Sequence, residues 1–264
     1  MREQCLHNAL FTDIYLKDKQ RENEDSLHLF RSRIQKLDQL SVYDKWMALA
    51  KGVLAGNLFD WGAKAVVEML ESDSLSFDVA LSKLQERPWL HDDLDRWLER
   101  MTSRPPYRCV GIFCDNSGAD IVLGIIPLAR EFLRQGTKVV LCANSEPVVN
   151  DITFLELNIL IKRIAADCPI ISQATKDGGL LVMETGQASP CLDLRFVDEN
   201  LCSKLVELET DLLILEGMGR SIHTNLSTHF LCDSLKVALI KNNWLARRLG
   251  GGNMFSVVFK YDSN

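Results

Sequence analysis

Residues 110–142 read VGIFCDNSGADIVLGIIPLAREFLRQGTKVVLC, and this stretch decides the fold. Val110–Cys114 and Lys138–Cys142 are short, β-rich and mostly apolar, as strands are when both faces of the sheet are covered. Between them, Ile121–Arg134 repeats its apolar residues at helical spacing. Strand, helix and strand in that order predict a right-handed parallel βαβ unit. The alternation continues downstream. Further strands are expected at Leu180–Glu184, Leu212–Leu215, Val237–Ile240 and Phe255–Phe259, and helices at Ile152–Ala166, Glu199–Leu208 and Asn243–Leu249. The fold class is α/β, with a doubly wound, largely parallel, Rossmann-like sheet whose ligands collect beyond the C-terminal strand ends.

Upstream of Arg104-Pro105-Pro106 the pattern changes. Only Gly52, Gly56 and Gly62 precede this point, and twelve of the fifteen glycines follow it. Leu27, Phe30, Ile34, Leu37 and Leu40 recur at helical spacing, followed by Trp46, Met47, Leu49, Ala50, Val53 and Leu54. An all-helical N-terminal subdomain, residues 1–106, is therefore expected ahead of an α/β domain, residues 107–264. Ser72-Asp73-Ser74 and Arg87-Pro88 mark turns within the helical part.

The 264 residues carry 30 Lys and Arg against 36 Asp and Glu, a net charge of -6. That balance disfavours binding dominated by the phosphates of a nucleic acid polymer, but local basic residues can still serve a small phosphorylated ligand. The eight cysteines are scattered, with no C-x-x-C pair, and most lie in apolar runs. Buried thiols in a reducing compartment are expected rather than a zinc ribbon or a disulfide framework. The N-terminal residues lack a signal-type apolar core, and no stretch approaches the roughly 20 apolar residues of a membrane span, so a cytosolic setting is expected.

The segments after the strands are where chemistry is expected. Asp115-Asn116-Ser117-Gly118-Ala119-Asp120 arrives at the start of a helix. Asp115 and Asn116 offer a carboxylate and an amide carbonyl to a hard divalent cation, while Ser117 and the exposed N–H groups suit a phosphate. A simple N-cap turn is the alternative. After the second strand, Asn150-Asp151 repeats an amide and an acid at a helix start, with capping again the alternative for Asp151. If the two strands are adjacent, Asp115, Asn116 and Asp151 can converge on one ion. Such an all-oxygen set suits magnesium or manganese better than zinc, and leaves cobalt and nickel open.

Further along, Glu216-Gly217-Met218-Gly219-Arg220 combines two glycines, whose N–H groups can approach an anion closely, with the planar donor fork of Arg220. Neither G-x-G-x-x-G nor the P-loop pattern occurs, which disfavours nicotinamide and flavin enzymes and ordinary NTPases. Lys236, expected at a strand entrance beside Asp233 and Ser234, can give a phosphate a point positive charge, although most lysines are simply solvated. In the helical part Asn57 and Asp60 lie three apart and face the same way on a helix; they reach the ligand if that part caps the sheet. The alternative is a helix-ending turn between Gly56 and Gly62.

Together, Asp115–Asp120, Glu216–Arg220 and Gly56-Asn57-Leu58-Phe59-Asp60 make the chain resemble the metal-dependent damage-control phosphatases, in the subfamily with an E-G-M-G-R motif. The resemblance spans nearly the whole chain. It implies that Asp115, Asn116 and Asp151 ligate a divalent metal (manganese, nickel, cobalt or magnesium). Ser234-Leu235-Lys236 is similar to the end of the family's R-T-x-K motif, which implies a phosphate contact for Lys236, with Asp233 where many relatives have arginine. The implied catalytic residues are Asp115, Asp151 and Lys236; Asn57, Asp60, Ser117, Gly217, Gly219 and Arg220 would meet the substrate. The implied activity is hydrolysis of 4'-phosphopantetheine and its oxidised or damaged forms, which limits coenzyme A biosynthesis. Family relatives are fused to a pantothenate kinase domain, and a homo-oligomer remains open. Because Ser117 stands where phosphatases with a covalent aspartyl intermediate keep a second acid, direct hydrolysis is expected. Two competing readings are a protein-carboxyl methyltransferase, an activity ascribed to a related branch, and a non-catalytic module that senses a phosphorylated metabolite.

Overall fold

The computed structural model describes residues 12–59, 76–251 and 253–264. The expected site residue Asp60, together with Gly62 and the turn at 72–74, lies outside the described residues. In chain order, helices α1 (Leu16–Asp38), α2 (Val42–Gly56) and α3 (Phe77–Ser82), the short strand β1 (His91–Asp92) and helix α4 (Leu94–Ser103) precede Pro105-Pro106. Then come β2 (Cys109–Phe113), a π-helical turn (Asp120–Ile125) running into α5 (Ile126–Arg134), β3 (Lys138–Ala143), α6 (Phe154–Asp167), α7 (Pro169–Asp177) and β4 (Leu180–Glu184). They are followed by α8 (Glu199–Glu207), β5 (Leu212–Glu216), a second π-helical turn (Met218–His223), β6 (Asp233–Ile240), α9 (Asn243–Arg248) and β7 (Ser256–Asp262).

The expected α/β class and the largely parallel sheet are both found. The strands form one sheet in the order β1-β7-β6-β5-β2-β3-β4. All neighbours pair in parallel except β6 and β7. Both faces are covered, which explains the unbroken apolar character of the strands. Val110 and Ile112 of β2 enter the larger core with α2, α4, α5 and α6, whereas Cys109 and Phe113 pack on the opposite face against Leu201 and Leu205 of α8.

The N-terminal helices share the larger core with the sheet. Trp46 of α2 meets Trp97 of α4 edge-on at 5.5 Å, and Trp97 meets Phe259 of β7 at 5.6 Å. Phe132 of α5 also packs against Trp46, at 5.1 Å and tilted. Burying a Phe of this kind contributes roughly 1.5–3 kcal/mol, so helices and sheet gain stability from one shared cluster.

From β2 the chain steps outward through β3 to β4, then returns to place β5 on the other side of β2. The crevice between the C-terminal ends of β2 and β5 is thus the switch point of the sheet, where an open α/β fold leaves room for a ligand. β6 begins at Asp233, four residues before the expected Val237. This places Lys236 inside a strand rather than at its entrance.

Candidate active site

Among the described residues, four acids meet at the switch point. Asp115 leaves β2, Glu216 ends β5, Asp151 stands before α6 and Asp120 opens the first π-helical turn. All four are buried, together with Asn57, Asn116, Arg220 and Lys241. The loops carrying Asn116 and Asp151 are laced by an isolated antiparallel bridge between those two residues. Arg220 reaches both loops: Nη1 donates to Asp115 Oδ1 and Nη2 to Asp151 Oδ2. The amide of Asn116 donates to Asp115 Oδ2 at 3.0 Å and to Asp120 Oδ2 at 2.8 Å.

Asn57, the residue after α2, ties the helical part to this centre. Its amide donates to Asp115 Oδ2 at 3.1 Å and Glu216 Oε1 at 2.5 Å, and its Oδ1 accepts the Leu239 N–H at 3.1 Å. Its carbonyl accepts Lys241 Nζ at 2.6 Å. Glu216 Oε2 in turn accepts the Asp115 N–H at 2.8 Å, which fixes the β2 end against the β5 end.

Among the described residues, four carboxylates thus face two cations, Arg220 and Lys241. Burial pushes the Asp120 carboxyl up to about 7, with the Asp115 charge adding to the shift. Burial, then Asp120 and Asp115, hold Glu216 well above the ordinary carboxylate range. Burial alone would lower the Arg220 value, but Asp151 and Asp115 outweigh it and hold the guanidinium charged. One carboxylate oxygen from each of Asp115, Asp120 and Glu216 lies within 4.8 Å of the others, and Asp120 Oδ1 has no hydrogen-bond partner among the described residues. Crowded, buried, all-oxygen donors of this kind fit a hard divalent cation.

The capping alternatives do not hold. Thr153 caps α6 through a capping box with Glu156, leaving Asp151 to Arg220 and Asn144. Ala119 precedes the first π-helical turn with no side-chain cap, so neither Asn116 nor Ser117 is spent there. Ser117 is fully buried; its N–H donates to the Asn150 carbonyl at 2.9 Å, while its hydroxyl has no partner among the described residues.

Gly217 and Gly219 serve close packing. Gly217 has φ +91°, and a Cβ there would lie 2.1 Å from Asp115 Oδ2; a Cβ on Gly219 would lie 2.0 Å from the Pro190 carbonyl oxygen. The Gly217 N–H, expected to face an anion, donates instead to the Val237 carbonyl at 3.0 Å.

Lys236 is not brought to the centre. Its Nζ donates to the carbonyls of Thr228 at 2.5 Å and Leu226 at 3.3 Å, and pairs with Asp262 at 3.0 Å. Lys236 pairs with Leu215, one position before the Glu216–Val237 pair, so strand alternation turns its side chain to the face opposite Val237 and toward Phe230. Sequence reasoning gave no role to Asp120, Glu216 or Lys241. The first two stood inside quoted motifs, and Lys241 carried no signal beyond its place after an apolar run. The seven described cysteines are free thiols; four are buried and Cys202 is exposed. Among the described residues, no helix is long and apolar enough to cross a membrane.

The fold and the centre define a doubly wound α/β protein with a buried oxygen-donor site, suited to a metal, at its switch point. Residues 1–257 match the damage-control phosphatase ARMT1-like domain, and the chain belongs to that family. It is 43% identical to the 4'-phosphopantetheine phosphatase of Mus musculus over 99% of this chain and 37% of that protein. It is 42% identical to pantothenate kinase 2 of Oryza sativa subsp. japonica over 99% of this chain and 32% of that protein. A damage-control phosphatase of Arabidopsis thaliana is 38% identical over 99% of this chain and 70% of its own length. The chain therefore spans about a third of the length of the first two relatives. A solved DUF89 family protein from Pyrococcus horikoshii shares the fold, with TM-score 0.62 and 17% identity over 94% of this chain and 75% of that one.

Proposed function

We propose that the chain is a divalent-metal-dependent phosphomonoesterase that hydrolyses 4'-phosphopantetheine and its oxidised or damaged forms, and so limits coenzyme A biosynthesis. The observation that carries this reading is the convergence of Asp115, Asp120, Asp151 and Glu216 at the switch point of a chain 43% identical to a protein named for that activity. Asp115, Asn116 and Asp151 would hold manganese, nickel, cobalt or magnesium, with Asp120 and Glu216 adjoining. A bound cation would neutralise phosphate oxygens and lower the pKa of an attacking water.

The chain's own groups do the rest. Lys241, a buried cation beside the acids, offsets charge on the phosphoryl oxygens, and the unpaired Ser117 hydroxyl is available to one of them. Arg220 and Asn57 fix the carboxylates, so little reorganisation remains when the reaction occurs. With a serine two positions after Asp115, attack by water is favoured over an aspartyl intermediate. Residues 1–106 and 107–264 act as two subdomains of one unit, in the cytosol, where free thiols persist. The names of the pantothenate kinase relatives support a link to a kinase acting on the same pathway of intermediates.

The test is phosphate release from 4'-phosphopantetheine by the purified chain with each metal in turn, with a chelator, and in Asp115→Ala. Release that needs metal and is lost in the variant supports the proposal. Methyl transfer from S-adenosylmethionine, or tight binding of the phosphate ester without turnover, would instead support one of the competing readings; the relatives' names favour neither.

A further inference from the structure

The segment after β4 contributes more to the centre than its sequence suggests. Gln187 closes it into a loop: its amide donates to the Asp193 carbonyl at 3.0 Å, and its side-chain oxygen accepts the Asp193 N–H at 3.1 Å. Three carbonyls inside this loop then accept hydrogen bonds from side chains of the centre. The Ser189 carbonyl takes the Asn144 amide at 3.0 Å, and the same amide donates to Asp151 Oδ2 at 3.1 Å. The Pro190 carbonyl takes Arg220 Nη1 at 3.4 Å, and lies so near Gly219 that no side chain fits there. The Leu192 carbonyl takes the Asn225 amide at 2.9 Å, and that amide also holds the Arg220 carbonyl at 2.8 Å.

Asn144 and Asn225 are both buried, and each joins the loop to a charged residue of the centre. These two amides act in addition to the contacts that close and bury the loop itself. Gln187 already closes the loop, and Leu192 is already buried in the smaller core. Cys191, half-buried between two of the pinned carbonyls, has Arg220, Asp115 and Asp151 as its charged neighbours.

We propose that the Gln187–Asp193 loop is a wall of the substrate pocket, and that Asn144 and Asn225 are positioning residues that set it against Asp151 and Arg220. The substrate arm rests on the phosphatase reading above; the positioning arm does not. Asn144 acts through Asp151, so its loss weakens metal binding as well as loosening the loop. Asn225 acts through Arg220 and Leu192, so its loss shifts the wall.

The experiment uses the folded full chain, with iodoacetamide labelling of each cysteine followed by mass spectrometry. In Asn225→Ala the Cys191 rate is expected to rise roughly 10-fold, as for a local opening, with the rate at buried Cys142 unchanged. Asn144→Ala should raise the Cys191 rate too, and weaken manganese affinity by roughly 10- to 100-fold. In Asn225→Ala the KM for 4'-phosphopantetheine should rise more than kcat falls. An unchanged Cys191 rate, or Cys191 and Cys142 rising together, would overturn the positioning roles. A rise at Cys191 with KM unmoved in an active enzyme would overturn the wall. A wild-type chain that releases no phosphate would refute the phosphatase reading, while the labelling would still decide whether the amides hold the loop.

Discussion

Asn57 donates its amide to Glu216 at 2.5 Å, although the two residues are 159 positions apart in the chain. One comes from the end of a helix and the other from the end of a central strand, so the helical part completes the centre instead of merely covering it. Replacing Asn57 by Ala leaves Asp115 and Glu216 without a shared donor in a buried setting. A buried acceptor left unmatched costs about 1–3 kcal/mol. Asn57→Ala is expected to lower stability by that amount in urea denaturation and to lower phosphate release by roughly 10- to 100-fold, as outer ligand partners do.

The two buried lysines of β6 and its end separate cleanly. Lys236 holds the 226–228 loop and Asp262, whereas Lys241 holds the Asn57 carbonyl beside the acids. Lys236→Met should lower the melting temperature and leave kcat within a few-fold of wild type. Lys241→Met should remove most of kcat. Assays of both purified variants beside their melting curves decide the matter, and equal losses of activity would contradict the assignment.

Gly217 admits no side chain. A Cβ at this position would lie 2.1 Å from Asp115 Oδ2, on a backbone whose φ of +91° already favours glycine. Gly217→Ala is expected to displace Asp115, abolish manganese binding and destabilise the chain. Calorimetric titration checks the first effect and thermal melting the second.

Acidic groups with raised values make stability depend on pH. In the folded chain Asp120 is pushed up to about 7 and Glu216 is held well above its usual range, first by burial and then by neighbouring carboxylates. The native state therefore binds more protons than the unfolded chain. The stability this contributes is fully present below the unfolded carboxylate range near about 4, and is lost as pH rises through about 7. Metal-free protein should thus melt at a lower temperature at pH 8 than at pH 5.5, and manganese should flatten the difference. A series of melting curves with and without chelator measures both.

Much of this architecture was legible in the sequence, because strands with two covered faces are apolar throughout and the helices between them keep their period. Leu180–Glu184 is found as expected, and Glu199–Leu208 differs by one residue. His91–Asp92 was not legible: two polar residues become a strand only because β7 lies alongside them. The same holds for Asp233–Lys236, whose polar start hid the first half of β6 and misplaced Lys236. Helix α7, opening at Pro169 directly after α6, escaped notice because Cys168-Pro169 reads as the end of a helix. At the centre, Asp115, Asn116, Asp151 and Arg220 could be named because each followed a strand in a motif. Asn144 and Asn225 could not, since their value lies in pairing with loop carbonyls far along the chain.

The central claim is that these buried acids form a divalent metal centre, and manganese binding to the purified chain, followed by calorimetric titration, tests it most directly. One ion per chain is predicted for the wild type, with binding lost in Asp115→Ala and Asp151→Ala while both variants still melt cooperatively. A wild-type chain that binds no manganese, or variants that bind it as tightly as the wild type does, would contradict the account.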